Sequence, residues 1–269
     1  MSTIDPAAYP DLMDALTEIT ISAAAAIRLQ DHGNVNTKAD GSPVTATDEA
    51  AEVAIRDGLA RFAPTLPIIS EEEAESERPV ITNGSYFLVD PLDGTKEFIS
   101  GRDEYTVNIA LVAEGTPILG IIAAPAQGLI WRGIVGRGAE RLRFSGQQAE
   151  TPQAIKTRPR PEGELIVVVS RSHLEARTQA YLDRFAQTRR VGCGSSVKFC
   201  RLAEGAADLY PRLAPTHDWD IAAGHAILVA AGGSVIDPDG GVLHYGSPTL
   251  IIPAFIAWGG RTPTTGANR

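Results

Sequence analysis

The chain has 269 residues, 43% of them apolar and 21% charged, which is enough apolar material for one large core or two packed subdomains. Its 24 Lys and Arg against 33 Asp and Glu leave a formal net charge of −9, which argues against general nucleic-acid binding but not against a small anion bridged by metal ions. The two cysteines, Cys193 and Cys200, cannot form a disulfide framework and have no partner cysteines or histidines at zinc spacing, so both are expected to be inert reduced thiols.

The opening MSTIDPAAYP has no basic stretch followed by an apolar run, so no secretory signal is expected. No window reaches the ~18 apolar residues of a membrane span. A cytoplasmic location is predicted, with peripheral contact at the inner membrane left open. Residues 11 to 31 place Leu12, Ala15, Leu16, Ile19, Ala23, Ala26 and Ile27 at helical spacing, with Gly33 as the stop. A polar loop containing Lys38 follows. A second helix is predicted from about Ala46 to Phe62, with Thr45 as N-cap and Asp48 completing a variant capping box. Ile68-Ile69 reads as a short strand that opens into the acidic run SEEEAESE. Glu71 stands directly at the strand end, whereas Glu73, Glu75 and Glu77 read as a solvated loop. Asn83-Gly84-Ser85, formally a glycosylation sequon, reads as a turn.

From Tyr86 the pattern becomes short β segments parted by Gly and Pro. Tyr86 to Val89, Val107 to Val112, Ile118 to Ala123 and Leu129 to Ile134 predict an antiparallel meander. The Pro-, Gln- and Gly-rich stretch 145–163 reads as a boundary, dividing an N-terminal α+β part (1–160) from a C-terminal α/β part (161–260) and a disordered tail (261–269). In the second part Leu165 to Val169 reads as a strand covered on both faces. Helices at about 173–187, 196–204 and 220–231 alternate with strands at Val191 and Val235-Ile236. His32, His173, His217, His225 and His244 show no pairing at ligand spacing and are expected to be structural or surface residues, and Trp219 is expected in the core.

The chemistry concentrates in LVDPLDGTKEF. A strand ends at Asp90, Pro91 cannot continue the ladder, and the chain turns at Gly94. Asp90, Asp93 and Thr95 are thus presented on one tight loop, with a short helix starting near Thr95. Carboxylates, a hydroxyl and free amides together suit a hard cation holding a phosphate; the alternative is a solvated turn. Glu71 at its strand end and Asp220 at the head of an Ala-rich, closely packing helix are further candidates, and N-capping is the alternative for Asp220. If Glu71, Asp90, Asp93 and Asp220 meet, each like-charge pair ~4 Å apart costs about 4 kcal/mol at an effective dielectric of 20. Lys38 and Lys96 cannot offset that, whereas divalent cations can. An all-oxygen ligand set favours Mg²⁺ over zinc.

The acidic pair after a strand, D-P-L-D-G-T and W-D-x-A-A-G, in this order, resemble the inositol monophosphatase superfamily of Mg²⁺-dependent, lithium-sensitive phosphatases, over about Lys38 to Phe255. DPLDGTKEFISGRDEYTVNIALV, VVVSRSH, GSSVKFCRLAEGAADLYPR and PTHDWDIAAGHAIL are most similar to its bacterial 3′(2′),5′-bisphosphate nucleotidases (CysQ type). The acidic run SEEE has no aspartate, and His217-Asp218 precedes Trp219, so Asp218 would add charge near the site. The resemblance implies a layered αβαβα sandwich with its site in the crevice between the two parts. It implies two or three Mg²⁺ ions on Glu71, Asp90, Asp93, Asp220 and the Leu92 carbonyl. Asp48 and Thr95 would orient the attacking water, and Glu71 would help hold the metal of that nucleophile. The Gly94 and Thr95 amides would hold phosphate, with Lys38 near it. Ser195, Ser196, Lys198 and Tyr210 would line the nucleotide side, and Leu92, Asp93 and Asp220 would also face the substrate. For Ser195 and Ser196 the plain alternative is a helix N-cap, and for Lys198 a solvated helix face.

The implied reaction is hydrolysis of the 3′-phosphate of adenosine 3′,5′-bisphosphate to AMP and phosphate, in sulfur assimilation and nucleotide recycling. The rivals are an inositol monophosphatase or fructose-1,6-bisphosphatase of the same fold and, from another class, a non-catalytic divalent-cation-binding module. The expected partner is a small phosphorylated nucleotide, with no nucleic acid and no integral membrane segment; a homo-oligomer is left open.

Overall fold

A computed structural model describes residues 4–29, 35–37, 43–80, 84–171 and 175–260, with the backbone alone at 35–37 and 43–45. His32, Gly33, Lys38, Asn83, His173, the side chain of Thr45 and the tail beyond residue 260 lie outside the described residues. The first half runs α1 (Tyr9–Arg28), β1 (Val35–Thr37), β2 (Pro43–Thr45), α2 (Ala46–Phe62), β3 (Ile68–Ser70), β4 (Ser85–Asp93), α3 (Thr95–Ile99), β5 (Thr106–Ala113), β6 (Thr116–Ala124), β7 (Leu129–Ile134), β8 (Gly138–Ser145), β9 (Gln148–Ala149) and β10 (Gln153–Ile155). The second half runs β11 (Leu165–Ser170), α4 (Ala176–Leu182), β12 (Thr188–Cys193), α5 (Val197–Ala203), β13 (Leu209–Arg212), β14 (Thr216–His217), α6 (Asp218–Ala230), β15 (Ser234–Ile236), β16 (Ile251–Ile252) and β17 (Phe255–Trp258).

Among the described residues, β10-β8-β7-β6-β5-β4-β3 form one sheet, with β9 paired to β8, and β12-β11-β13-β17-β15 form a second. In the first sheet β4 to β8 are antiparallel, and β3 alone lies parallel, on β4. Alternation along the strands sends side chains to two cores. Phe87, Val89, Val107, Ile109, Leu111 and Ile121 meet the apolar faces of α1 and α2. Tyr86, Leu88, Ala110, Val112, Ile122 and Trp131 meet α5 and α6. The other side of those helices packs on Val168, Tyr210, Phe255 and Ala257 of the second sheet. Leu165, Val167, Leu209, Ile256 and Trp258 on its outer face cover Leu182 of α4. The layers are therefore α1/α2, sheet, α5/α6, sheet, α4, the expected αβαβα sandwich.

Several elements depart from the sequence reading. The predicted polar loop contains β1 and β2, paired antiparallel. The predicted boundary stretch contains β9 and β10, both paired to β8. β13, β14, β16 and β17 span only a few residues each, too short for a period of two to show, and form because a neighbouring strand completes them. α4 is shorter than predicted. The chain leaves it after Leu182, so that Tyr181 and Phe185 stack edge to face and Phe185 reaches Trp258.

Both cysteines are buried and free. His225 is buried in α6 and bonds the Tyr245 hydroxyl through Nδ1 at 2.8 Å. Burial lowers its pKa from 6.5 to about 4. The unfolded chain therefore binds more protons than the folded one between these values. Stability contributed by neutral His225 is full above about pH 6.5 and declines as pH falls toward 4, by on the order of 3 kcal/mol. Urea unfolding at pH 7 and pH 4.5 is expected to show a slope from this group that His225→Phe reduces.

Candidate active site

Two features of strand pairing build the acidic cluster. β3 runs parallel to β4 with Ser70 opposite Val89, and the Glu71 N–H continues the ladder to the Val89 carbonyl at 3.1 Å. The residue after β3 therefore lands beside Asp90. Between Asp90, opposite Asn108, and Asp93, opposite Thr106, β4 carries one more residue than β5. In a regular strand Asp90 and Asp93 would point to opposite faces; the extra residue, at the proline, puts both on the same side. Gly94 follows in the left-handed region at φ 90° and starts α3. Asp220 comes from the other half. α6 begins at Asp218, with His217 rather than Asp220 as its N-cap, and Asp220 Oδ2 accepts the His217 N–H at 3.1 Å and the Thr216 hydroxyl. The capping alternative and a place in the cluster therefore coexist.

One carboxylate oxygen each of Glu71, Asp90 and Asp220 lies within 4.8 Å of the others. Asp90 is buried. Its Oδ1 accepts the Leu92 N–H at 3.1 Å and its Oδ2 has no hydrogen-bond partner. Desolvation, and then Glu71, Asp93, Asp220 and Glu72, push its carboxyl well above the usual range. Asp93 is pushed up to about 6 by burial and by Asp220, against the lowering effects of Lys198, the Ser196 N–H and Arg212. Close carboxylates with a buried oxygen lacking a donor, and only oxygen ligands, fit a divalent cation.

Thr95 Oγ1 lies 3.5 Å from Asp48 Oδ1 and 3.2 Å from the Leu92 carbonyl. Asp48 is buried in the first turn of α2. Thr95 and Asp48 thus meet beside the cluster from 47 residues apart.

The cluster opens on a cleft of ≈ 470 Å³ whose lining includes Asp93, Gly94, Ser195, Lys198, Tyr210 and Arg212. Ser196 occupies the N-cap position of α5 but does not cap it. Its hydroxyl bonds Asn108 Oδ1 at 2.6 Å and Thr106 at 2.8 Å, and its N–H donates to Asp93 Oδ2 at 2.6 Å. Ser195 sits at φ 42° and bonds Thr106 at 3.0 Å. Lys198 is buried rather than on a solvated face. Its Nζ donates to the Ser195 carbonyl at 2.5 Å and lies 5.3 Å from the Tyr210 ring centroid.

Glu73 is not a solvated loop residue: it pairs with Arg56 at 3.3 Å, its side chain 12% exposed. Glu75 and Glu77 are exposed. Asp218 is fully buried and turned toward the Gly246 N–H at 2.7 Å, its pKa pushed up to about 6 mainly by burial. Trp219 is buried, with Arg78 over its ring and His217 stacked on it. The sequence reading missed Arg212, Thr106 and Asn108. Thr106 and Asn108 are polar residues two apart in an otherwise apolar strand, a legible signal. Arg212 ends β13, a strand too short to recognise.

A sequence model described as the inositol monophosphatase family matches residues 7–265. The chain is 41% identical over 238 residues to the 3′(2′),5′-bisphosphate nucleotidase CysQ of Escherichia coli K12, covering 87% of this chain and 94% of that protein. It is 43% identical over 208 residues to the protein of the same name from Salmonella typhimurium, covering 77% of this chain and 81% of that one. Among solved structures, CysQ from Bacteroides thetaiotaomicron superposes with a TM-score of 0.78 at 32% identity, covering 93% of this chain and 98% of that one. An inositol monophosphatase from Zymomonas mobilis superposes at 0.75 and 28% identity, covering 94% of each.

Proposed function

The chain belongs to the inositol monophosphatase family, and on that premise we propose that it is a 3′(2′),5′-bisphosphate nucleotidase that hydrolyses the 3′-phosphate of adenosine 3′,5′-bisphosphate to AMP and phosphate. The observation that carries this reading is the meeting of Glu71, Asp90 and Asp220 within 4.8 Å of one another, beside Asp93 and the Thr95–Asp48 pair. Glu71, Asp90, Asp93, Asp220 and the Leu92 carbonyl would hold Mg²⁺, as two or three ions. When bound, Mg²⁺ supplies Lewis acidity and neutralises developing negative charge. No helix among the described residues is long and apolar enough to cross a membrane, and a cytoplasmic setting belongs to the same proposal.

The chain's own groups have separable tasks. Thr95, donating to Asp48, offers a lone pair to the attacking water, and the water's proton passes through the hydroxyl to Asp48. Gly94 and Thr95 turn amides toward the phosphoryl oxygens. Ser195, Ser196 and Tyr210 form the wall on the nucleoside side. In a chain of net charge −9, Lys96, Lys198 and Arg212 all line this one cleft. Four carboxylates, Asp93, Glu97, Glu175 and Asp220, share that lining, so these cations favour a substrate with two phosphates only once metal ions on the acidic cluster offset its charge.

The discriminating experiment compares kcat/KM for adenosine 3′,5′-bisphosphate and inositol 1-phosphate, with Mg²⁺ and with EDTA. The bisphosphate is expected to be the better substrate and EDTA to abolish release. A higher kcat/KM for the inositol ester would overturn the nucleotidase reading; Ca²⁺ binding without phosphate release would overturn the enzyme reading.

A further inference from the structure

Two stretches take no part in the chemistry above, the Glu104-Tyr105 approach to β5 and Arg171 after β11. They meet at the rim of the cleft. Arg171 Nη2 donates to Glu104 Oε1 at 2.7 Å and Oε2 at 2.6 Å, and Nε to Oε2 at 3.2 Å. Arg171 Nη2 also donates to the Gly192 carbonyl at 3.1 Å, and the Gly194 N–H donates to Glu104 Oε2 at 3.0 Å. The Glu104 backbone is wedged between the two loops of the site. Its carbonyl oxygen would lie 2.8 Å from a Cβ on Gly194 and 3.2 Å from one on Gly94. The turn it holds contains Ser195 at φ 42°, a conformation a non-glycine residue keeps only when its surroundings impose it.

We infer that Glu104 is a positioning residue that, directly at Gly194 and through Arg171 at Gly192, sets the gap between the Gly94 loop and the Gly194–Ser196 turn and so the grip on the nucleoside part of the substrate. The identity of that substrate rests on the nucleotidase reading above. The division of labour along one edge of β5 supports the inference. Thr106 and Asn108 hold Ser196, whose N–H holds Asp93 and thus serves the acidic cluster. Glu104 holds Gly194 directly and Gly192 through Arg171, on the far side of the same turn. The Glu104–Arg171 pair is partly exposed, at 18% and 44% of the side chains, so its role in global stability is small.

The test uses the full chain with saturating Mg²⁺. It measures KM and kcat for adenosine 3′,5′-bisphosphate and for p-nitrophenyl phosphate, an ester too small to span both loops, and Kd for AMP by calorimetry. Glu104→Ala is expected to raise KM for the bisphosphate and Kd for AMP about tenfold while kcat stays within about twofold and both constants for p-nitrophenyl phosphate stay unchanged. Arg171→Ala moves the same quantities less, and Glu104→Gln, which keeps an acceptor for Gly194, falls between. Equal losses on both esters, a fall in kcat alone, or no change would overturn the inference. Should Glu104→Ala fail to fold, Arg171→Ala carries the same test. If the native enzyme prefers inositol 1-phosphate the nucleotidase reading fails by itself, and the Glu104 variants are then judged on that ester against p-nitrophenyl phosphate.

Discussion

Asp93→Asn is expected to lower Mg²⁺-dependent phosphate release at least ~10²-fold, because the carboxylate lost is one of four proposed to place the cation on which every step depends. Asparagine keeps the shape of the side chain and an oxygen for the Ser196 N–H, now held at 2.6 Å, so the fold is preserved. One negative charge is removed from a group that burial and Asp220 already hold up to about 6. The metal-free variant should therefore be no less stable than the native protein, while its gain on adding Mg²⁺ shrinks. At 100 times Kd that gain is about 2.7 kcal/mol for the native protein, or roughly 5–10 °C in Tm. Thermal unfolding with and without Mg²⁺, alongside phosphate release, separates lost metal binding from lost folding. Near-native rates at saturating Mg²⁺ would contradict the ligand assignment. Glu75→Gln, on the exposed part of the acidic run, is the control expected to change neither.

Gly120→Ala is expected to cost about 3 kcal/mol or more, lowering Tm by roughly 10 °C, and to depress activity as well. Gly120 lies mid-strand in β6, where α6 crosses the first sheet. A Cβ there would fall 2.2 Å from the Ala223 carbonyl oxygen and 2.9 Å from its Cα. The obstruction is backbone, so no rotamer relieves it and the helix must move away. α6 carries Asp220 at its first turn, so the displacement also pulls a carboxylate from the cluster. An unfolding midpoint within a degree of native would show that the close approach is not needed. Activity retained at 20 °C in a destabilised variant would show that Asp220 is held by its capping bonds to Thr216 and His217 instead.

Much of this architecture is legible locally. The predicted helix from Ala46 to Phe62 matches α2 at both ends, because its apolar spacing and first-turn acids act within the segment itself. The paired aspartates around Pro91 and the turn at Gly94 read directly as a strand end bearing oxygen ligands. The short strands were not legible, since their hydrogen-bond partners, not their own pattern, make them strands. Glu73 misled for the same reason. Within the run of glutamates nothing distinguishes it, and the difference is Arg56, 17 residues away.

The residues by themselves determined an antiparallel meander followed by alternating α and β elements and the motifs that carry the family resemblance, because each is written in short runs whose spacing has a local physical meaning; the layered αβαβα order followed from that resemblance. Only the tertiary structure decided how the acidic groups meet. Parallel pairing of β3 with β4 carries Glu71 to Asp90, an extra residue at Pro91 turns Asp90 and Asp93 to one side, and close packing of α6 on Gly120 brings in Asp220. It also decided that Arg212 lines the cleft and that Glu104 and Arg171 meet beside the Gly192–Gly194 backbone. Their placement depends on contacts between chain segments far apart in sequence, and no pattern within one segment encodes its neighbour in another layer.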